Sequence, residues 1–432
     1  MGVGNWRESN AVRPIRFIHC ADLHLGTPFK GISELNPDLG DLLYQSTYVS
    51  FDNIVALAIK ENVDCVLIAG DVYDSEDKSL QAQLRFRNSL SRLSEAGIRT
   101  LVAYGNHDPL NGWSATLKWP ERVFAFPGDR VECVSLQEHD ETIAMVYGIS
   151  FAKRDIKENL SLRFTPAEEH IPRIGLMHAN VGANTGHEPY APCSIEDLCS
   201  NRLDYWALGH VHQSSIIRPA NPAITYPGCS QSRSPHETGS KGCYIVTLEF
   251  GGDPIIEFAA TDVVRYLSDS IDISGCLSLD EIVNSAVEKC EETSGKSDGR
   301  SLLVRLSLKG RTALHSQLQR ANSVPDLLGS IREQLANREP WIWLDRLNLD
   351  TAGTYDLDSL RQGKDFTADI ISVFDELENP ESPRRKELHE TFQPLFTKWQ
   401  GRGYLEELSP DELLGLTNEA REQLLDLLLR ET

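Results

Sequence analysis

Six nearly continuous apolar runs, at 15–20, 65–69, 100–104, 143–149, 174–177 and 205–208, alternate with stretches whose apolar residues recur at helical spacing, notably 42–60 and 80–96. A strand that is apolar at almost every position has both faces covered. The alternation therefore predicts a layered α/β fold, with runs at 244–250 and 255–260 closing the same domain near Asp262. Five of the runs stop at a short polar cluster. These read Ala21-Asp22-Leu23-His24, Gly70-Asp71-Val72-Tyr73-Asp74, Gly105-Asn106-His107-Asp108, Met177-His178-Ala179 and Gly209-His210-Val211-His212. Loops at the C-terminal ends of strands are where an open α/β sheet collects its chemistry. Gly70, Gly105 and Gly209 precede the polar residues and allow the tight turns that aim side chains at a shared point.

Carboxylate, amide and imidazole groups in this mixture are the ligands that two adjacent divalent metals need. Such a pair requires one bridging carboxylate and leaves positions open for water and phosphate. Asp71 is the best bridge, because it follows a buried strand and a glycine and lies between the other clusters in sequence. Asn106 adds a neutral oxygen where another carboxylate would over-neutralise the pair. Imidazole favours transition metals, so Mn, Fe or Zn suits the set better than Mg.

The clusters resemble the calcineurin-like phosphoesterase superfamily. The run Phe17-Ile18-His19-Cys20-Ala21-Asp22-Leu23-His24-Leu25-Gly26 is similar to its DNA-repair nuclease branch, which includes the bacterial SbcD and YhaO-type exonucleases. Pro227-Gly228, followed by Pro235-His236-Glu237-Thr238-Gly239-Ser240-Lys241-Gly242, resembles the YhaO-type pattern after the Gly-His-x-His motif. Trp343-Leu344-Asp345-Arg346, with Thr351 and Leu357-Asp358, resembles the C-terminal part of that family. The likeness spans most of the chain and is strongest over 15–250.

That resemblance implies a four-layer αββα metallophosphoesterase sandwich. It implies Asp22, His24, Asp71 and His212 around one metal and Asp71, Asn106, His178 and His210 around the other, with Mn²⁺ the expected ion and Fe or Zn the alternatives. His107 would face the scissile phosphate and protonate or stabilise the leaving oxygen, and Asp108 would orient its imidazole. The implied reaction is exonucleolytic hydrolysis of DNA by in-line attack of an activated water. The implied partners are DNA and a large SMC-like coiled-coil ATPase of the SbcC/YhaN type, with room for a homodimer. Some archaeal and eukaryotic relatives carry a second histidine three residues after the bridging Asp. Here that position is Asp74, as in the bacterial branch, and the role of Asp74 stays open between helix cap, support and direct function.

Beyond 262, strand-like runs at 266–273, 302–308 and 341–349 are separated by helical stretches at 279–290 and 326–335, a small α+β capping or DNA-binding domain over 262–355. From about 356 to 432 the chain reads as helical and charged, a partner-binding segment. Ser409-Pro410-Asp411-Glu412 is a capping box that opens a helix, and Leu413, Leu416, Ala420, Leu424 and Leu427 form its expected apolar face.

The net charge of -22 argues against a protein that coats nucleic acid by bulk electrostatics. Residues 1–260 carry 22 Lys and Arg against 32 Asp and Glu, and residues 261–432 carry 20 against 32, so the acidic excess is denser in the second part. Any DNA surface must be local or supplied by a partner. The nine scattered cysteines contain no Cys-x-x-Cys pair, and Cys20, Cys65 and Cys243 in apolar runs read as buried thiols. No apolar run approaches the ~20 residues that span a bilayer. The first sixteen residues lack a signal-peptide core, and Trp6 stands where a myristoylation site wants Ser or Thr, so cytoplasm is the expectation.

Other polar residues divide between chemistry and plain solvation. Arg233 and His236 lie in a Gly/Ser/Pro loop and could touch phosphate or simply lie at the surface. His19 reads as a satisfied buried histidine; His139, His170, His315 and His389 read as surface. Lys153, Arg154, Lys157 and Arg163 could meet DNA, but Asp155 and Glu158 interrupt them and a solvated helix face is favoured. The same site could serve a cyclic-nucleotide or nucleotide-diester phosphodiesterase, or a nuclease subunit active only with its ATPase. A protein phosphatase is disfavoured because Asp74 is followed by Ser75-Glu76 and the third cluster ends in Asp108.

Overall fold

The structure, a computed structural model, describes residues 13–27, 36–74, 79–168, 170–182, 188–397 and 408–429. The N-terminal leader expectations and Ser75-Glu76 lie outside the described residues. The chain forms two compact units, Met1–Leu267 with Ser297–Leu303, and Ser268–Lys296 with Val304–Thr432. The expected α+β and helical segments thus share the second unit, apart from 262–267 and 297–303.

Two six-stranded sheets make up the first unit. One takes β1 (Ile15–Cys20), β2 (Cys65–Ala69), β3 (Arg99–Ala103) and β4 (Val123–Ala125), extended on the β1 side by β11 (Gly242–Leu248) and β12 (Ile255–Ala260). The other runs in the order β5 (Glu132–Glu138), β6 (Glu141–Ile149), β7 (Arg173–His178), β8 (Tyr205–Gly209), β10 (Ala223–Tyr226), β9 (Ser215–Arg218). Strands β1 to β4 are mutually parallel, as are β6, β7, β8 and β10. Side chains alternate across each strand. Phe17, Leu67 and Leu101 therefore point between the sheets and meet Ile174, Leu176 and Tyr205. Ile18, Val66 and Ile68 point outward beneath α1 (Pro37–Lys60) and α2 (Leu80–Glu95), against Phe51, Ile54, Phe86 and Leu90. On the far face Met177, Trp206 and Leu208 are covered by Leu160, Phe164 and Leu198, the last from α3 (Ile195–Ser200). Four layers result, as the sequence led one to expect. The outermost is thin, made among the described residues of one short helix, one 3₁₀ turn and loops. Fully burying each Phe or Leu of the double-sheet core stabilises the fold by roughly 1.5–3 kcal/mol.

The two long helices of the first unit are capped at their starts by side chains. Asn36 accepts the Leu39 amide at 3.1 Å with Pro37 in the first turn, and Ser79 accepts the Ala82 amide. The basic stretch departs from expectation. Residues 153–159 form bends and irregular loop rather than a helix, leading into the 3₁₀ turn Leu160–Arg163. Lys157 pairs with Asp155 at 3.0 Å and Arg163 with Glu158 at 2.6 Å, so the interrupting acids neutralise their neighbours.

The second unit carries a three-stranded sheet, β13 (Val264–Asp272), β14 (Ser301–Arg311) and β15 (Ile342–Ala352) in that order, with β13 entering from the first unit. Helices α4 (Leu279–Gly295) and α6 (Ser323–Leu335) bury Ile282, Ala286, Cys290, Leu327 and Ile331; α5 (His315–Leu318) is one short turn. Then come α7 (Leu357–Arg361), α8 (Phe366–Glu378), α9 (Pro383–Thr397) and α10 (Pro410–Leu428). His315, expected at the surface, is buried with its Nδ1 3.0 Å from Thr351 Oγ1. The apolar face of α10 is also not the one expected. Leu413, Thr417 and Leu425 are buried, whereas Leu416 and Leu427 are 47% and 60% exposed. Polar groups occupy the inner face because each finds a partner. Thr417 Oγ1 donates to the Leu413 carbonyl at 2.7 Å, Arg421 pairs with Glu378, and Asp426 accepts the Gly353 amide. Among the described residues no helix is long and apolar enough to cross a membrane.

Candidate metal centre

All five polar clusters converge at the C-terminal ends of β1, β2, β3, β7 and β8. Parallel strands deliver their following loops to one edge, and the two sheets meet there: His178, the last residue of β7, donates from Nδ1 to the Ala69 carbonyl of β2 at 2.9 Å. Backbone hydrogen bonds knit the loops, with the Asp22 amide donating to the Gly70 carbonyl and the His24 amide to the Asp71 carbonyl. Four of the predicted ligands, Asp22, His24, Asp71 and His210, have positive φ values of 50°, 44°, 50° and 108°. Non-glycine residues held there cost on the order of 1–3 kcal/mol each and cluster at functional sites. Gly70 serves its turn with φ +89°, but Gly105 is required for closeness: a Cβ on it would lie 2.3 Å from Asp71 Oδ1.

Among the described residues, three sets of ligand atoms lie within 4.8 Å of one another: Asp22 with His24 and His212; Asp22 with Asp71 and His178; His24 with Asp74 and His107. Asp71, a member of the second set, places Oδ2 3.7 Å from His24 Nε2 of the first set and 3.5 Å from His178 Nε2, while Oδ1 accepts the His107 amide at 2.9 Å. Asn106 Oδ1 is 2.9 Å from His178 Nε2. His210 packs edge-on against His178 and directs Nε2 to the Glu188 carbonyl; its amide donates to both Asp22 oxygens.

The donor set fits divalent cations. Both ring nitrogens of His24 are buried without a hydrogen-bond partner, a costly state for an imidazole unless something else takes its lone pair. His178 repeats the point: with Nδ1–H committed to a carbonyl, the Nε2 lone pair of the neutral ring confronts the acceptor Asn106 Oδ1, an arrangement suited to a cation between them. Burial lowers both imidazoles below their usual range, with the Arg233 charge adding to the effect on His24. Burial and the Asp71 charge push Asp22 well above the usual carboxylate range. Burial would raise Asp71 too, but His178 and His107 hold it below its ordinary value. Neutral imidazoles and crowded carboxylates are what a bound dication resolves.

Around these groups lies a supporting layer. Glu237 Oε1 is 2.7 Å from His212 Nδ1, a carboxylate–histidine pair of the kind that orients a metal ligand. Burial works against the Glu237 charge, yet the His212 hydrogen bond and Arg233 hold its carboxyl at about 2. Arg233 donates from Nη1 to Asp74 Oδ1 at 2.7 Å, and its amide donates to Glu237 Oε2. His107 Nδ1 donates to the Asp74 carbonyl at 2.9 Å. Asp108, expected to orient that ring, accepts the amides of Gly105, Val72 and Tyr73, so these bonds order the loop whose Asp74 carbonyl meets His107.

The remaining histidines sort cleanly. His19 is buried with Nδ1 3.0 Å from Tyr205 Oη and Nε2 3.1 Å from the Leu208 carbonyl, and burial pushes it down to about 3. His139, His170, His236 and His389 are exposed. Glu237 is the supporting residue to which the sequence assigned no role, although it lies in the 235–242 stretch that carries the family resemblance.

Comparison with known proteins agrees in extent with these elements. Residues 15–214 match the calcineurin-like phosphoesterase family, and residues 267–352 match the middle domain of the metallophosphoesterase YhaO. The uncharacterized metallophosphoesterase YhaO of Bacillus subtilis is 34% identical over 348 residues, covering 80% of this chain and 84% of that protein. The DNA double-strand break repair protein Mre11 of Sulfurisphaera tokodaii is 26% identical, covering 71% and 78%. The D component of the nuclease SbcCD of Bacillus subtilis is 23% identical, covering 62% and 78%.

Proposed function

The chain belongs to the calcineurin-like phosphoesterases, a family of metal-binding phosphoester hydrolases, and within it to the YhaO type; on that footing we propose that it hydrolyses phosphodiester bonds of DNA as a repair exonuclease. The observation that carries this reading is the convergence of Asp22, His24, Asp71, Asn106, His178, His210 and His212 around unpartnered imidazole nitrogens at the edge where the two sheets meet. DNA as substrate is supported by the relatives whose names are those of DNA-repair and nuclease proteins.

In this reading Asp22, His24, Asp71 and His212 hold one divalent ion, and Asp71, Asn106, His178 and His210 the other, with manganese the expected metal. When bound, such a pair supplies Lewis acidity and a water acidic enough to attack at neutral pH. The protein's own groups do the rest. The Asp74 carbonyl accepts only, so His107 keeps a proton on Nδ1 and exchanges one at Nε2, where the leaving oxygen needs it. Asp108 holds the 72–73 backbone beside it. The net charge of -22 leaves the main DNA grip to a partner, an SMC-like ATPase in the cytoplasm, docked through the second unit. Exposed Leu416 and Leu427 on α10 offer such a contact.

The test is hydrolysis of linear duplex DNA with Mn²⁺, alone and with the ATPase, beside a small phosphodiester and a phosphomonoester. DNA degradation that falls about 10²–10⁴-fold in His107→Ala is the expected result. Turnover of small esters with DNA untouched, even when the ATPase is present, would sink the DNA reading and leave a small-molecule phosphodiesterase.

A further inference from the structure

We propose that Arg233 is a catalytic residue that grips the substrate's phosphate, held in place by Asp74 and Glu237. The inference rests on the phosphoester chemistry of the site and not on DNA being the substrate.

Arg233 stands beside the groups of the predicted ligand sets, flanked by two carboxylates. Its Nη1 donates to Asp74 Oδ1 at 2.7 Å, and that same oxygen is 3.4 Å from His24 Nδ1. Its Nη2 is 3.3 Å and 3.4 Å from the two ring nitrogens of His212. The guanidinium therefore borders two side chains that share ligand sets, within a site built to receive dications. Like charges at this separation repel, and the two carboxylates that touch Arg233, Asp74 and Glu237, oppose that repulsion. A bound phosphate reverses the sign, because its anionic oxygens attract the metals and the guanidinium together.

The hydrogen-bond inventory points the same way. A guanidinium carries five N–H donors in a planar fork suited to phosphate oxygens. Nη1 meets Asp74 and Nη2 meets His212, while Nε is buried without any partner. Arg233 is thus fixed but under-used as a donor, as a residue pre-organised for an incoming acceptor would be. Its fixing is specific: the Arg233 amide donates to Glu237 Oε2 at 2.6 Å, and Glu237 Oε1 holds His212. One carboxylate therefore sets both the metal-facing histidine and the arginine beside it. His236, three residues on, is exposed and takes no part.

The test uses the full chain loaded with Mn²⁺ and two readouts, binding of inorganic phosphate by calorimetry and steady-state hydrolysis of bis(p-nitrophenyl) phosphate. Loss of a charge-assisted contact predicts that Arg233→Ala weakens phosphate binding and raises KM roughly ten- to hundredfold. Mn²⁺ affinity should stay unchanged or tighten, since a repelling charge has gone. Arg233→Lys should recover part of the loss, and free guanidinium should restore turnover to Arg233→Ala. Phosphate binding and KM at wild-type levels in both variants would overturn the proposal. So would a collapse of Mn²⁺ affinity in Arg233→Lys, which would mark Arg233 as a support for His212 and Asp74. Failure to cut DNA bears only on the DNA reading, because no step of this test contains DNA.

Discussion

Asp22, His24, Asp71 and His210 adopt left-handed backbone conformations that glycine or asparagine would take more easily. The fold keeps them because their side chains have to reach one point from three strand ends, those of β1, β2 and β8. Residue types at strand ends were legible in the sequence, since ligand chemistry demands carboxylate, amide and imidazole whatever the loop conformation. Glu237 was not legible, because a support is defined by what it touches, and 25 residues separate it from His212. Its charge makes a prediction of its own. Burial opposes ionisation, but His212 and Arg233 bring the folded-state value to about 2, below the ordinary 4.5. A carboxyl lowered on folding stabilises the native state fully above its unfolded value and loses that contribution as pH falls through the folded one. Glu237→Gln should therefore flatten the loss of urea resistance between roughly pH 4.5 and 2. Parallel stability curves for the two proteins would contradict the assignment.

At the scale of elements, the doubly covered strands were plain from composition: β1, β2 and β12 fall where the apolar runs placed them. Strands β4, β5, β9 and β10 gave no such signal. Three of them are at sheet edges, β5 alternates exposed and buried positions, and β4, β9 and β10 are three or four residues long. The α10 helix was legible at its start, where Ser409 and Glu412 form the reciprocal capping box. Its inward face was misread because hydrophobicity alone marks Leu416 and Leu427 as core, while partnered polar groups fill the inner side. The two faces should respond differently. Leu425→Ala should cost about 2–5 kcal/mol of unfolding free energy, as buried leucine truncations do. Leu416→Glu should change it by less than about 0.5 kcal/mol, the usual range for exposed sites. Urea denaturation midpoints decide this, and equal losses would mean that α10 is turned otherwise.

On the scale of the whole molecule, the residues expected to bind metal all lie in the first unit, and the acidic excess is denser beyond residue 260. The sequence sets a boundary near Asp262, where its apolar strand runs stop, and the main segment of the first unit ends at Leu267. It could not foresee that Ser297–Leu303 returns to that unit, since a short return is a matter of tertiary packing and leaves no mark on periodicity. What unites the account is a two-ion site centred on Asp71. The most direct test is the Mn²⁺ bound per chain at saturation in the wild type and in Asp71→Asn, with DNA hydrolysis read on the same preparations. The account predicts two ions and cleavage in the wild type, and, in a variant that keeps its circular dichroism, fewer ions and no cleavage. A single ion in the wild type, or a variant that cleaves as fast, would contradict it.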